Sequence, residues 1–512
     1  MHAPQHRYHM LHGLAMSSEA GAKGRTGARL LPLATLLVLT CFLAGTSADA
    51  DLWGHLTFGR DIVRTHAVGA TDPYSFTSDR PWVNHEWLAE AIMWIFYAAG
   101  GGAGLIVLKL SLAWAAGALM LDAWRRHQLT PIRRDMLLLP TTLGVWPSLA
   151  TVRPQMFSLF FFAALLNVLG RVRDGQIRAL PLLPLIFAVW VNVHGGWLVG
   201  AGVLALFTAC AVFDSTLLPS HRRLLLAASF ASGLATLCNP YGVRMLAFLF
   251  ETVAPDRGDI IEWLPVTKLP AIALALWLVP TTVALTVMWR RRGALPISSI
   301  AIVGMLAITS FRVVRVVSFY AVAVGFLLAP YAWSNTITLT QPVGRAVREW
   351  RAAAIVYVSI VGLSVALFGR RVLMDGSWLP EPQAAVFVTT HHLHGNMFMW
   401  FDYGEYAIWH FWPAIRVSID GRRETVFTDR LRAAHRRVYD NTPEALDDIR
   451  RLNPDYVWLP VDLPVIKRLE AAGWSPMFRG PRSTILGHPG ATTIAEATMV
   501  IPMARPRAFP GP

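Results

Sequence analysis

The chain contains 512 residues, of which 54% are hydrophobic and only 15% are charged. A mean hydropathy of +0.43 and many long apolar runs exclude a soluble globular protein and indicate a polytopic membrane protein. The net charge of +14 comes from short basic clusters between the apolar runs rather than from one continuous surface. That distribution argues against nucleic acid as a partner.

Eleven apolar runs, each roughly 15 to 21 residues long, are predicted to cross a hydrocarbon core about 30 Å thick. Before them, residues 1–28 are polar and rich in Gly, Ala and His, which predicts a disordered cytoplasmic N-terminus. We therefore predict a polytopic α-helical transmembrane domain over residues 29–372. The predicted spans lie near residues 30–48, 103–123, 135–151, 155–170, 179–193, 196–213, 223–239, 270–289, 295–311, 315–333 and 352–369.

The basic clusters predict the orientation, because they fall on alternate loops as the positive-inside rule requires. The clusters occupy residues 25–29, 125–134, 171–178, 222–223, 290–292 and 345–351. The N-terminus is therefore expected in the cytoplasm. An odd number of spans places the C-terminus on the periplasmic side.

Acids and histidines are dense in the first periplasmic loop, residues 48–102. Asp49 and Asp51 follow the first span, where their carboxylates can share a cation or act as a base toward an acceptor hydroxyl. The alternative for both is a solvated helix end. If this segment continues as an interfacial helix, His55 is the i+4 neighbour of Asp51 and can orient its carboxylate or contact a phosphate.

Two later parts of the same loop carry further candidates. Asp72 precedes a proline and therefore begins a turn, where it either accepts backbone hydrogen bonds or faces the cleft. His85 and Glu86 open an apolar helix, and Glu86 suits the positive helix N-terminus. Because Ala89 stands where an HExxH motif has its second histidine, a zinc protease is rejected.

Polar residues also interrupt the later spans, always on the predicted periplasmic side. Arg153, His194, Arg312 and Arg315 supply groups that suit a phosphate attached to a lipid tail, since the planar arginine fork matches phosphate oxygens. The alternative for each is a side chain that snorkels to the lipid headgroups.

Composition changes after the last span, and residues 373–488 predict a small periplasmic α/β domain. Predicted strands at 397–400, 415–419, 456–459 and 484–486 alternate with helical patterns near 428–438, 443–452 and 463–472. Asp420 and Arg422 lie in a turn-like Ile-Asp-Gly-Arg sequence, which is either a plain turn or part of an acceptor cleft. Residues 489–512 are predicted to form a flexible tail.

Several motifs, taken in order, resemble one family. They are Asp-x-Asp-Leu-Trp-x-His (49–55), Asp-Pro-Tyr-Ser-Phe-Thr (72–77), Trp-Val-Asn-His-Glu-Trp-Leu (82–88), Arg-Pro-Gln-Met-Phe-Ser (153–158), Asn-Val-His-Gly-Gly (192–196), Asn-Pro-Tyr-Gly (239–242) and Ile-Asp-Gly-Arg (419–422). The set resembles the GT-C superfamily of membrane glycosyltransferases, most closely its RgtA/B/C/D-like bacterial members, over about residues 30–488. One departure is Gly54, where such proteins often have a second tryptophan.

The resemblance implies an inverting transfer of a sugar from a polyprenyl-phosphate donor, at the periplasmic face of the bacterial inner membrane. The acceptor would be an envelope glycan, lipid or protein. The implied catalytic acids are Asp51 first, Asp49 second and Glu86 as a further candidate. Arg153, His194, Arg312 and Arg315 would bind the donor phosphate, and His55, Asp72, His85, Asp420 and Arg422 would line the acceptor cleft.

No residue is assigned as a metal ligand, although a divalent cation stays open as a cofactor. Two other function classes also stay open. A transporter or flippase for a lipid-linked saccharide would use the same arginines but should place charges at mid-membrane or show paired repeats, and neither pattern is found. A noncatalytic membrane protein of envelope assembly is the third interpretation.

Overall fold

The computed structural model describes residues 37–214, 217–253, 260–332, 358–364, 366, 371–374, 376, 378–490, 497–498 and 507–511. The first part of the chain is helical. Its helices are 37–44, Leu52–Thr65, Trp87–Arg126, Pro131–Leu149, Gln155–Arg173, Leu182–Trp190, Trp197–Phe213, Pro219–Ala235, Val243–Val253, Ala271–Arg290, Ile297–Arg312 and Val317–Leu327, with residues 358–364 also helical. The predicted N-terminal segment 1–28 lies outside the described residues.

Three helices within the described residues are both long and apolar enough to cross a membrane: Trp87–Arg126, Gln155–Arg173 and Ala271–Arg290. Five further apolar helices are shorter, because polar or proline-containing segments end them early. Leu182–Trp190, for example, stops just before Asn192 and His194. The count of eleven spans therefore stays a prediction, with runs 30–48 and 352–369 only partly within the described residues.

The predicted first loop, residues 48–102, is largely helical. Leu52–Thr65 forms a separate helix that ends at His66, whose φ of 55° is left-handed. Asp51 and His55 are i,i+4 neighbours at its start, as expected from the sequence for a helix here, since the His55 N–H donates to the Asp51 carbonyl at 3.0 Å. Trp87–Arg126 begins well before the predicted span at 103, and Gly101 (φ 56°, ψ −140°) kinks it.

The described residues of the C-terminal part form eight strands in two sheets. They are β1 (Leu373–Met374), β2 (Gly395–Met399), β3 (Ile415–Val417), β4 (Tyr456–Pro460), β5 (Ser475–Arg479), β6 (Ser483–Gly487), β7 (Ala497–Thr498) and β8 (Arg507–Ala508). The larger sheet has the order β3-β2-β4-β6-β5-β7, in which β2 is parallel to β3 and β4 and β6 is antiparallel to β4 and β5.

The four predicted strands coincide with β2, β3, β4 and β6, because each is a short apolar run bounded by turn residues. β5 was not predicted, since it contains Pro476, which weakens the strand pattern. Five helices flank the strands: Pro382–Thr390, Gly404–Phe411, Asp429–Tyr439, Ala445–Leu452 and Val465–Ala471. The last three lie where the sequence predicts helices.

The end of the chain packs against the helix that follows Asp51. β8 pairs with β1, and the Trp53 indole donates a hydrogen bond to the Pro510 carbonyl at 2.9 Å. Phe509 is buried with its ring 4.9 Å from that of Trp53. The predicted flexible tail is therefore wrong for residues 507–511, because a strand pairing and a buried aromatic residue fix them.

Candidate active site

Helix ends and short turns bring the candidate site together. Asp51 precedes the helix Leu52–Thr65 and Glu86 precedes Trp87–Arg126. Arg153 lies just before Gln155–Arg173, and Arg315 lies in a one-turn 3-10 helix before Val317–Leu327. Helix ends of this kind place polar side chains at one side of a helical bundle, while the apolar helix bodies pack against each other.

Arg153 is the centre of the group. Its Nη2 donates a hydrogen bond to Asp51 Oδ2 at 2.6 Å, and its Nε lies 2.9 Å from Asp49 Oδ2. The third nitrogen, Nη1, donates to Glu262 Oε1 at 2.5 Å. All three guanidinium nitrogens thus lie close to carboxylates from two different segments, and Nη1 and Nη2 donate hydrogen bonds to them.

Glu262 joins Arg153 to a second arginine. Its other oxygen, Oε2, lies 3.4 Å from Arg315 Nη1, and Arg315 Nη2 lies 2.9 Å from His194 Nε2. A backbone hydrogen bond from the Val314 N–H to the Leu264 carbonyl at 3.1 Å holds the two short turns together. Burial alone would raise the pKa of Glu262, but the two arginines lower it.

Asp49 differs from its neighbours in the hydrogen bonding of its carboxylate. Among the described residues, neither carboxylate oxygen finds a donor, although both are covered and Oδ2 lies near the Arg153 Nε. The N–H of that nitrogen is not directed at the oxygen. Burial raises the pKa of Asp49 to about 6, with Asp51 adding to the rise and Arg153 opposing it.

Glu86 stays ionised beside two histidines. Its Oε1 lies 3.5 Å from His85 Nε2 and 3.8 Å from His194 Nε2. Burial would raise the pKa of Glu86, but the positive charges of His85, His55 and Arg315 outweigh burial and lower it. Burial lowers the pKa of His194 to about 3, so this imidazole is neutral near pH 7.

His55 points to a buried carboxylate rather than to a cleft wall. Its Nδ1 lies 3.1 Å from Glu90 Oε1, and the Asn84 amide donates to Glu90 Oε2 at 2.6 Å. Burial would lower the pKa of His55, but the hydrogen bond to Glu90 and nearby carboxylates raise it to about 9. A buried cation therefore lies one helical turn from Asp51.

The C-terminal part contributes a buried acid, Glu405. Its Oε2 accepts a hydrogen bond from the Gly54 N–H at 3.1 Å, and a Cβ on Gly54 would lie 2.2 Å from its Cδ. Gly54, where family resemblance would expect tryptophan, is thus needed for the approach of Glu405. Burial raises the pKa of Glu405 well above its usual range, and Asp51 and Asp420 add to the rise.

Arg422, Asp72 and Asp420 form a separate closed group, here called the arginine clamp. Arg422 donates to Asp72 Oδ1 at 2.7 Å and Oδ2 at 3.0 Å, and to Asp420 Oδ1 at 2.9 Å and Oδ2 at 2.7 Å. Its guanidinium carbon lies 4.9 Å from the ring centres of Phe58 and Trp82. The predicted cleft role of these three residues is corrected. Their side chains are buried against one another and join the first loop to the sheet.

The structure brings together Asp49, Asp51, Glu86, His85, Arg153, His194 and Arg315. Arg312 is exposed at the end of its helix, outside the contacts of this group. Glu262 and Glu405 were not assigned by sequence. Glu262 stands in an unremarkable loop, and the only signal for Glu405 was its position beside turn residues.

The described residues contain no group of three or more His, Cys, Asp or Glu side chains placed to hold a metal ion. Between the two aspartates, the Arg153 guanidinium already occupies the position that a cation would need. This arrangement does not fit a divalent cation there, and a metal requirement stays an untested prediction.

Two solved structures share the fold over most of this chain. The mycobacterial arabinofuranosyltransferase AftD is 16% identical with a TM-score of 0.53, and the match covers 90% of this chain and 40% of that one. ArnT from Cupriavidus metallidurans, in the apo state, is 14% identical with a TM-score of 0.53, covering 90% of this chain and 98% of that one. This chain has the GT-C fold.

The GT-C fold is a polytopic helical membrane fold, and both neighbours belong to a superfamily of membrane glycosyltransferases. No protein-family model and no curated protein matches the sequence. At identities this low the likeness establishes the GT-C fold, and this chain spans about 40% of the length of AftD. The activity of this chain must therefore be argued from its own residues.

Proposed function

We propose that this protein is an inverting glycosyltransferase of the bacterial inner membrane. It moves a sugar from a polyprenyl-phosphate donor to a hydroxyl of an envelope glycan, lipid or protein. The proposal includes the predicted orientation, with a cytoplasmic N-terminus and the site and C-terminal α/β domain at the periplasmic face. The observation that carries it is the acid–arginine group centred on Arg153, within a GT-C fold.

The donor phosphate is assigned to Arg153 and Arg315. Glu262 bridges the two guanidinium groups through its two carboxylate oxygens, at 2.5 Å and 3.4 Å. A phosphate presents oxygens with similar spacing and more charge, so it can replace the carboxylate between the same two forks. His194, neutral and in contact with Arg315, lies at the same position.

The reaction is a single displacement. The acceptor oxygen forms a bond to the anomeric carbon while the bond from that carbon to the phosphate oxygen breaks. A carboxylate takes the acceptor proton, and the polyprenyl phosphate leaves with the electron pair, its charge stabilised by the arginines. Attack from the face opposite the leaving group inverts the anomeric centre.

Asp49 suits the base role better than Asp51, which reverses the order expected from the sequence. A general base works best when its pKa lies near the working pH, and the pKa of Asp49 is raised to about 6. Its oxygens also accept no hydrogen bond from the described residues. Asp51 already accepts the 2.6 Å hydrogen bond from Arg153 and so acts to orient that guanidinium.

The test compares Asp49→Asn with Asp51→Asn in purified protein. Sugar transfer is measured with a panel of polyprenyl-phosphate sugars, with and without a chelator. Removing a general base costs on the order of 10²–10⁴-fold in turnover, so Asp49→Asn should lose that much. Asp51→Asn should lose less and should mainly weaken donor binding.

Asp447→Asn serves as the matched control, because Asp447 is exposed and distant in sequence from the site. It should transfer sugar at the unmodified rate. An Asp49→Asn protein within a few-fold of that rate would falsify the base assignment. Loss confined to Asp51→Asn would restore the order expected from the sequence.

A further inference from the structure

Lys109 is a lysine buried completely within the long helix Trp87–Arg126. The proposed mechanism does not use it, and the other charged residue of the predicted span 103–123 is Asp122, close to the end of that span. A charged side chain inside a membrane helix is costly, so it persists where it has partners and a role.

All the hydrogen-bonding capacity of this ammonium group is used. Lys109 Nζ donates to the Thr46 hydroxyl at 2.6 Å, the Leu149 carbonyl at 2.8 Å and the Gly45 carbonyl at 3.2 Å. An ammonium has three N–H donors and no acceptor, so these three acceptors satisfy it. Thr46 in turn donates to the Ala44 carbonyl at 2.8 Å.

The three acceptors belong to the C-terminal ends of two helices. Gly45 and Thr46 follow the helical residues 37–44, and Leu149 is the last residue of Pro131–Leu149. Carbonyls at such ends lack helical partners and carry the negative end of the helix dipole. A buried cation at this point therefore stabilises both ends at once.

Each of these helix ends leads directly to the proposed site. The first continues to Asp49 and Asp51, and the second continues to Arg153. The two segments also contact each other, since the Ser47 N–H donates to the Ala150 carbonyl at 3.1 Å and Ser47 forms a parallel bridge with Thr151. Lys109 itself lies on the helix that Glu86 precedes.

We infer that Lys109 is a positioning residue. It holds the two helix ends together, so that the aspartates and Arg153 keep the register seen in their contacts. This inference rests on the proposed function for its catalytic consequence. The register itself is independent of any activity. A lysine that only stabilised the bundle would leave this register unchanged in every folded molecule.

The register can be measured by a disulfide. Paired backbones lie about 4.8 Å apart, which is within the Cα separation that a disulfide spans. Ser47→Cys and Thr151→Cys are combined in a background in which Cys41, Cys210 and Cys238 are replaced by alanine. Cross-linking in native membranes is then compared for Lys109→Met and for Lys268→Met, an exposed lysine that serves as the control.

Lys109→Met leaves two carbonyls and a hydroxyl without their donor. Buried acceptors without a donor destabilise the contact enough to favour separation of the two helix ends. We therefore expect the cross-linking rate to fall about tenfold. The rate in Lys268→Met should stay at the unmodified level. Equal rates in the two lysine variants would overturn the inference.

Sugar transfer supplies the catalytic readout. With the cysteine pair reduced, the Lys109→Met variant should transfer sugar at least about tenfold more slowly. Slow oxidation of the pair should recover most of the lost transfer rate, because the disulfide restores the register. A protein that cross-links fully without recovering transfer would contradict a positioning role. If the unmodified protein transfers no sugar, the proposed function fails, while the cross-linking rate still decides the register.

Thr46→Val keeps the inference testable if Lys109→Met does not accumulate. It removes one acceptor and leaves Lys109 bonded to the Gly45 and Leu149 carbonyls. A smaller, few-fold fall in cross-linking rate is expected. An unchanged cross-linking rate in this variant would count against the positioning role of Lys109.

Discussion

The group around Arg153 and the arginine clamp contain the same chemistry, arginine with carboxylates, but differ in how completely it is satisfied. In the clamp, the Arg422 side chain is 5% exposed and Asp72 and Asp420 are fully buried. Around Arg153, the side chains of Arg153 and Glu262 are 21% and 33% exposed. The arginine clamp is closed by aromatic rings, whereas the Arg153 group includes the Asp49 oxygens, which accept no hydrogen bond from the described residues.

Under the proposed function, this difference separates a structural cluster from a reactive one. A guanidinium that is buried between fixed carboxylates and aromatic rings cannot be reached by a substrate, and breaking its ion pairs leaves buried charges unpaired. A group that is partly exposed and incompletely bonded can exchange a partner, as Glu262 would for a phosphate. The kind of residue does not distinguish the two; their surroundings do.

The largest expected effect is on folding. Arg422→Met should lower the free energy of unfolding by about 3–5 kcal/mol, because it leaves Asp72 and Asp420 as buried, unpaired carboxylates. Thermal or denaturant unfolding of the purified protein measures the change. Arg450→Met, which breaks an exposed pair with Asp447, should cost no more than about 1 kcal/mol. Similar losses in both variants would mean that the clamp contributes no special stability.

Arginine substitutions in the group around Arg153 should affect donor binding rather than folding. Arg315→Ala should raise the KM for the polyprenyl-phosphate donor about 10- to 100-fold, because hydrogen bonds to charged groups contribute about 1.5–3 kcal/mol. Arg312→Ala is the matched control, since Arg312 is exposed and nearby in sequence. Steady-state kinetics with varied donor separates the two. A stronger effect of Arg312→Ala would restore the role that the sequence assigned to it.

The smallest expected effect is a shift in the acid limb of the pH–rate profile. Asp49 must be ionised to accept a proton, so transfer should fall as the pH drops through about 6. Asp51 raises the pKa of Asp49 and Arg153 lowers it. Asp51→Asn should therefore move the limb to lower pH, and Arg153→Met should move it to higher pH.

The residual kcat/KM of each variant, followed across the acid range, checks these directions. Asp447→Asn should leave the limb in place because Asp447 is exposed and belongs to another part of the fold. Shifts of the same sign in Asp51→Asn and Arg153→Met would show that Asp49 does not control the limb.

Local patterns account for the parts of the fold that could be predicted. The helix after Asp51, the helix opened by Glu86 and strands β2, β3, β4 and β6 all follow from periodicity, caps and apolar runs in neighbouring residues. The helix boundaries were less predictable, because Gly101 allows Trp87–Arg126 to continue through a kink. The packed end of the chain depends on a distant tryptophan, Trp53.

The candidate site was predictable only in its residue types. Asp49, Asp51, Glu86, Arg153, His194 and Arg315 stood out because acids, histidines and arginines beside membrane spans are costly. Lys109 carried the same signal, as a charge within the predicted span 103–123, and was missed. Glu262 and Glu405 gave little signal, since their importance comes from partners far away in the sequence.

By itself, the sequence determined that this is a membrane protein with a C-terminal α/β part, and that its polar residues gather between spans, because hydropathy and periodicity are local properties. Only the tertiary structure decided which arginines meet which acids. It separated Arg422 from Arg153 and placed Arg315 rather than Arg312 beside His194. Burial, charge neighbours and hydrogen-bond geometry depend on distances between remote residues, and these distances distinguish the closed arginine clamp from the more exposed group around Arg153.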